Sequence, residues 1–212
     1  MSTMSVESDV TSEAPAAAAP APAAPAGNPA LLGLATFLPG ALSLALWLVG
    51  YLPAADLGGI APAVLFSSGL FLLISCIWAS RLGASAVAAI FGTFSAFWLS
   101  LGVLVAALTN GWLGLAEGNQ ALPTFLLSWL IVFVALTLAT LRLPLVFTVG
   151  FVLVDITVAL VLAFALTGTQ LFATLAGVGA FAFCAVFAYI WFDGMGQELG
   201  GKAMAMGSPI QK

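Results

Sequence analysis

Asp155 stands near the middle of an apolar run from Pro144 to Leu166. An ionised Asp at the centre of a membrane helix costs ~2.5–3.5 kcal/mol on insertion scales, so this residue must face a bundle interior or a wet cavity. Protonated, its carboxyl donates a hydrogen bond to a carboxylate; ionised, it repels one. Two roles follow: coupling of proton and anion movement, or a neutral Asp bonded to a hydroxyl on a neighbouring helix. The other polar groups in apolar surroundings are the hydroxyls of Ser67, Ser68, Thr93, Ser95 and Ser100. At Asn28-Pro29 an N-cap residue precedes a proline at the first helical position, a helix-start pattern. An anion leaving water needs such hydroxyls, backbone N–H groups or helix N-termini in place of its hydration. No Lys or Arg lies within an apolar run to clamp it, so binding should be weak.

Other chemistry is excluded by what the chain lacks. It has no histidine, which removes His-based metal sites and Ser-His-Asp or Cys-His catalysis. No nucleophile–base pair or metal set is visible, so neither enzyme activity nor a cofactor is expected. Cys76 and Cys184 sit inside apolar runs and read as small packing residues. With four Lys and Arg in all there is no basic patch for nucleic acid.

The elements that position these groups are membrane helices. Of 212 residues, 63% are hydrophobic and 6% charged, against ~25% charged in soluble domains. Mean hydropathy is +1.20. The chain is therefore expected to be an all-α integral membrane protein whose main partner is the lipid bilayer. Residues 1–27 are rich in Ala, Pro, Ser and acids, a composition that cannot bury a core and predicts a disordered tail. Six runs follow, each near the ~20 residues a helix needs to cross hydrocarbon. They cover about 30–50, 59–80, 84–108, 121–141, 144–166 and 170–192. The expected organisation is a tail over 1–27, a six-helix transmembrane domain over 28–193 and a C-terminal tail over 194–212.

Arg81, Arg142, Lys202 and Lys212 all fall on the N-terminal side of these crossings, while the opposite loops carry Asp56 and Glu117. The positive-inside rule then puts both termini in the cytoplasm. Trp47, Tyr51, Trp78, Trp112, Tyr189 and Trp191 lie near span ends, as an interfacial aromatic belt would.

Asn28-Pro29-Ala30-Leu31-Leu32-Gly33-Leu34 resembles the signature Asn-Pro-Ala-Pro-Leu-Gly-Leu that opens the acetate uptake transporter family, the succinate–acetate permeases. Phe94-Ser95-Ala96-Phe97-Trp98-Leu99-Ser100 resembles the family's Tyr-Gly-Ser-Phe-Trp-Leu-Thr. Val49-Gly50-Tyr51 and Thr140-Leu141-Arg142 also fit, in order and spacing. The resemblance implies a plasma-membrane homohexamer, ring-shaped, whose protomers each enclose a pore for small carboxylates. It further implies an apolar constriction formed by a Phe on span one, a Tyr on span three and a Leu on span five. Phe37 matches the first and Phe94 occupies the second position; Leu153 and Val154 lie near the depth of the third. The family's Gln on span two falls at Leu72. Leu31, Leu72 and Phe94 mark a divergent member.

The residues expected along a substrate pathway are Asn28, Pro29, Phe37, Ser67, Ser68, Thr93, Phe94 and Ser95, with Asp155 for proton coupling. Asp193 and Glu198 read as solvated helix-end charges or as groups at a pore exit. The implied function is a channel or proton-linked carrier for small carboxylates such as acetate or succinate. Two alternatives stay open. One is a non-transporting scaffold, sensor or accessory subunit. The other is a pore for small neutral solutes such as ammonia or undissociated acid.

Overall fold

Every apolar run forms a helix. The computed structural model describes residues 27–116 and 119–212. Helix α1 is Pro29–Leu48, α2 Phe71–Arg81, α3 Ser85–Thr109, α4 Ala121–Thr140, α5 Leu145–Thr167 and α6 Gln170–Glu198. A 3-10 segment, Ala54–Ile60, and a π-helical segment, Ala63–Leu70, lead into α2, so the second span reads as one rod over Ala55–Arg81. All six spans are long and apolar enough to cross a membrane, and the described residues contain no strand. The disordered tail expected over 1–27 lies, Gly27 apart, outside the described residues, and so does Glu117.

The helices pack in a closed order. Helix α1 lies against α6 on one side and against the π segment and α2 on the other; α2 packs on α3, α4 on α5, and α5 on α6. The remaining seam, α3 against α4, has few close backbone approaches. Rings fill it instead: Phe97 meets Phe125, Trp129 and Phe133 at centroid distances of 5.8, 5.5 and 5.1 Å. Bulky aromatics hold two helices apart and still exclude voids, because each ring carries a large contact surface. Conversely, small residues let backbones touch. At Gly40 of α1 a Cβ would collide with the Ser68 hydroxyl of the π segment.

Helix α6 runs to Glu198, past the boundary expected at Phe192. Its stop is Gly200, whose φ of 85° is a left-handed conformation that glycine adopts without strain. The Gly201 N–H donates to the Gly196 carbonyl and the Gly200 N–H to the Gln197 carbonyl, which is the Schellman termination.

The segment beyond is no free tail. Met204 N–H donates to Asp193 Oδ1 at 2.6 Å, and the Tyr189 hydroxyl donates to the Ala205 carbonyl at 2.9 Å. Val146 N–H donates to the Met206 carbonyl at 3.1 Å, and Gln211 N–H to the Leu141 carbonyl at 2.8 Å. The physical reason lies in helix ends. The first N–H groups of α5 and the last carbonyls of α4 have no partner within their own helices. The returning strand of chain supplies one to each.

Candidate functional site

A cavity of about 370 Å³ opens at the end of the bundle where α1 begins and α6 ends. Asn28, Asp193, Gln197 and Met206 border it at that end, and Phe37, Leu72, Phe94, Phe151 and Phe187 line it deeper in. Its depth follows from helix geometry. Leu31, Leu34 and Phe37 recur every third residue along α1, and Val87, Ile90 and Phe94 along α3 at spacings of three and four, so each set holds one helix face. Phe147 and Phe151 add a face of α5.

The inner end is a knot of rings. Phe37 meets Phe94 and Phe187 edge-to-face, both at 5.3 Å, and lies 5.8 Å from Trp98 and 5.9 Å from Phe183. Phe94 stacks on Phe133 at 5.0 Å and tilts against Phe151 at 5.7 Å. Each such pair contributes ~0.5–1.5 kcal/mol beyond its buried area, so the knot is a mutually supported closure. Phe37 and Phe94, both expected on the pathway, therefore sit together at the inner end of the cavity. Leu72, at the position where the resemblance implies a Gln, is on the wall and fully buried. The contribution of α5 to the closure is Phe151. Leu153 and Val154, the residues nearest the expected depth, do not border the cavity.

The hydroxyls of Ser67, Ser68, Thr93, Ser95 and Ser100 do not border this cavity. Pro39 interrupts α1 and has no N–H for the Ala35 carbonyl. Beside this break, the Ser68 hydroxyl shares its proton between the Thr36 and Phe37 carbonyls, at 3.0 and 2.9 Å, and accepts from Gly40 N–H at 3.1 Å. Ser67 donates to the same Thr36 carbonyl at 3.3 Å. Ser95 donates to the Gly69 carbonyl across the α3 seam at 2.8 Å, and Ser100 donates within its own helix. Thr93 is half-buried on α3 and does not border the cavity. In a medium without water, a hydroxyl spends its proton on the nearest carbonyl, and the four serines found one in a helix.

At the mouth, Asn28 is exposed and its Oδ1 caps α1 by accepting from Ala30 N–H at 3.1 Å. Leu31 N–H donates to the Asn28 carbonyl at 3.2 Å. The start of α1, expected to offer N–H groups to an anion, thus has two of them engaged by its own cap. Pro29 is buried, and its carbonyl accepts from the Ser75 hydroxyl at 2.7 Å; it joins α1 to α2 and does not touch the cavity. Asp193 is 6% exposed, which corrects its reading as a solvated charge. Its Oδ2 accepts from the Gln197 amide at 2.7 Å and its Oδ1 from Met204 N–H. Glu198 is exposed.

Asp155 borders a different seam. The Thr137 hydroxyl of α4 donates to its Oδ2 at 2.7 Å, while its Oδ1 is buried without a hydrogen-bond partner. Below it Thr148 donates to the Thr140 carbonyl and Thr140 to the Thr137 carbonyl. These groups form a polar column between α4 and α5. The other orphaned buried groups among the described residues are the indole N–H groups of Trp47 and Trp98. Trp98 lies one turn beyond Phe94, against Phe37.

Sequence reasoning missed Phe151, Phe187 and the role of Asp193. The pairs Phe147/Phe151 and Phe183/Phe187 each repeat at four residues and could have marked two ring-bearing faces. Nothing in the sequence signalled that Met204 would reach Asp193.

Comparison with known proteins agrees with this geometry. The structure of the bacterial acetate channel SatP is similar, with a TM-score of 0.74 and 25% sequence identity, covering 85% of this chain and 99% of that one. No curated protein sequence matches the chain. The family model of the GPR1/FUN34/yaaH family matches residues 11–199. With that model spanning all six helices, the chain belongs to the GPR1/FUN34/yaaH family of acetate transporters, the family its opening motif resembles.

Proposed function

We propose that this protein is a multi-pass membrane channel or proton-linked carrier for small carboxylates of the acetate kind. The observation that carries the reading is the cavity: it enters from one end of a six-helix bundle like that of an acetate channel and ends on Phe37 and Phe94. Passage requires those rings to part, since they close its inner end. Trp98 Nε1–H, buried and unpartnered one turn further on, is the polar group a solute meets next. Asp155 couples protons to transport through its unpaired Oδ1. The protein sits in the cell membrane with both termini in the cytoplasm and assembles as a homohexamer. Arg81, Arg142, Lys202 and Lys212 support that orientation by the positive-inside rule, and the family resemblance supports the ring.

The test is uptake of labelled acetate by the purified protein in liposomes, with and without a pH gradient. Uptake above that of empty liposomes is expected, faster with an inward proton gradient. No uptake above background overturns the transport reading and favours a non-transporting membrane subunit.

A further inference from the structure

The cavity wall names a narrower class of ligand. We propose that the site takes aliphatic monocarboxylic acids longer than acetate, in undissociated form, and rejects dicarboxylates. This deepens the transport reading and rests on it for the direction of passage, but it concerns binding and stands or falls separately.

Three observations converge. The first is size. About 370 Å³ falls in the ~300–1,000 Å³ range of pockets that enclose whole small ligands; acetate, with a single methyl, leaves most of it unfilled. The second is the lining. Leu31, Leu34, Leu72, Ile90, Phe147 and Ile190 give the chamber continuous apolar walls up to the rings. Leu72 and Phe94 line the inner part of the chamber and offer no hydrogen-bond donor to a second carboxylate. The third is charge. Among the lining residues Asp193 is the one ionisable group, and Asn28 and Gln197 carry the side-chain amides. Arg142, Lys202 and Glu198 are exposed at the same end and do not border the cavity. A carboxylate entering this chamber loses water and meets no cation, whereas an unpaired buried charge is strongly disfavoured. An undissociated acid avoids that penalty, hydrogen-bonds near the mouth amides and buries its alkyl chain. Each added methylene buried against such walls strengthens binding about fourfold. A dicarboxylate would bring its second polar end against Leu72 and Phe94.

The experiment measures binding of acetic, butyric, hexanoic and succinic acids to the full chain in lipid nanodiscs, by ligand-dependent thermal stabilisation, across a pH series. The expected result is affinity rising about fourfold per methylene, no binding of succinate, and affinity falling tenfold per pH unit above each acid's own pKa. Asp193→Asn should keep that pH slope, because the ligand titrates; loss of the slope in this variant overturns the undissociated form. Leu72→Gln and Phe94→Tyr should each flatten the chain-length series, which a nonspecific effect of fatty acid on the disc would not show. Equal affinity for acetic and hexanoic acids, or succinate binding as well as acetate, overturns the proposal even if the protein transports acetate. Graded binding without liposome uptake upholds it and removes the transport reading instead.

Discussion

Two polar seams run through this bundle, and they are finished differently. Between α1 and the π segment, Ser67 and Ser68 meet the Thr36 and Phe37 carbonyls and the Gly40 N–H, so every group named there has a partner. Between α4 and α5, the column of Thr148, Thr140 and Thr137 ends on Asp155, whose Oδ2 accepts from Thr137 and whose Oδ1 has no partner. The first seam ties α1, beside Pro39, to the π segment and holds the backbone of Phe37, the residue at the hub of the ring closure. The second keeps an ionisable group half-satisfied in apolar surroundings, where such incompleteness is costly and where function tends to concentrate. A complete network reads as architecture; an incomplete one reads as a working part.

The contrast is breakable by mutation. The largest effect is expected at Ser68. Replacing it with Ala removes the side-chain partner of the Gly40 N–H and of the Phe37 carbonyl in a dry seam, while the Thr36 carbonyl keeps Ser67, a loss of about 1–3 kcal/mol, read as a clear drop in melting temperature in detergent. Gly40→Ala should cost a similar amount through overpacking. In combination the two should fall short of additivity, since removing the Ser68 hydroxyl makes room for the new methyl. Strict additivity would show that the two residues do not share one contact. Next comes Asp155→Asn, which should leave the melting temperature nearly unchanged and alter the pH dependence of acetate uptake. Helix α4 carries no ionisable residue, and Asp155 is the only one on α5, so no neighbouring group on this seam can supply the response. An unchanged profile sinks the coupling role. The smallest effect is expected for Thr137→Val, about 0.6 kcal/mol by the average of membrane hydrogen bonds. A loss as large as that of Ser68→Ala would erase the distinction between the seams.

Helix number, type and approximate limits were legible because hydrophobic length is a strong signal in membrane chains. Phe37 and Phe94 were legible because a spaced motif fixed their registers, and Leu72 because a departure from the motif pointed to it. Span five lacked such an anchor, so its register stayed unassigned near Leu153 and Val154, and Phe151 was not found. The partners of the serines were hidden for a different reason: a hydroxyl in a membrane helix faces a pore or a neighbouring carbonyl with the same sequence around it. The docking of Met204 on Asp193 joins residues across a helix stop and a turn, a pairing that no periodicity encodes.

The returning segment makes the mouth a joint product of both ends of the bundle. The mouth is bordered by Asn28, among the earliest residues of the bundle, and by Met206, among the latest. All six helices can be inserted and packed while this rim is still incomplete, because the Asp193 carboxylate waits for Met204. Part of the chamber's rim thus comes from beyond the last helix. A chain stopped after Lys202 would keep its spans and its ring closure and present an unfinished doorway, intact by every measure of helix content and altered only in what it admits.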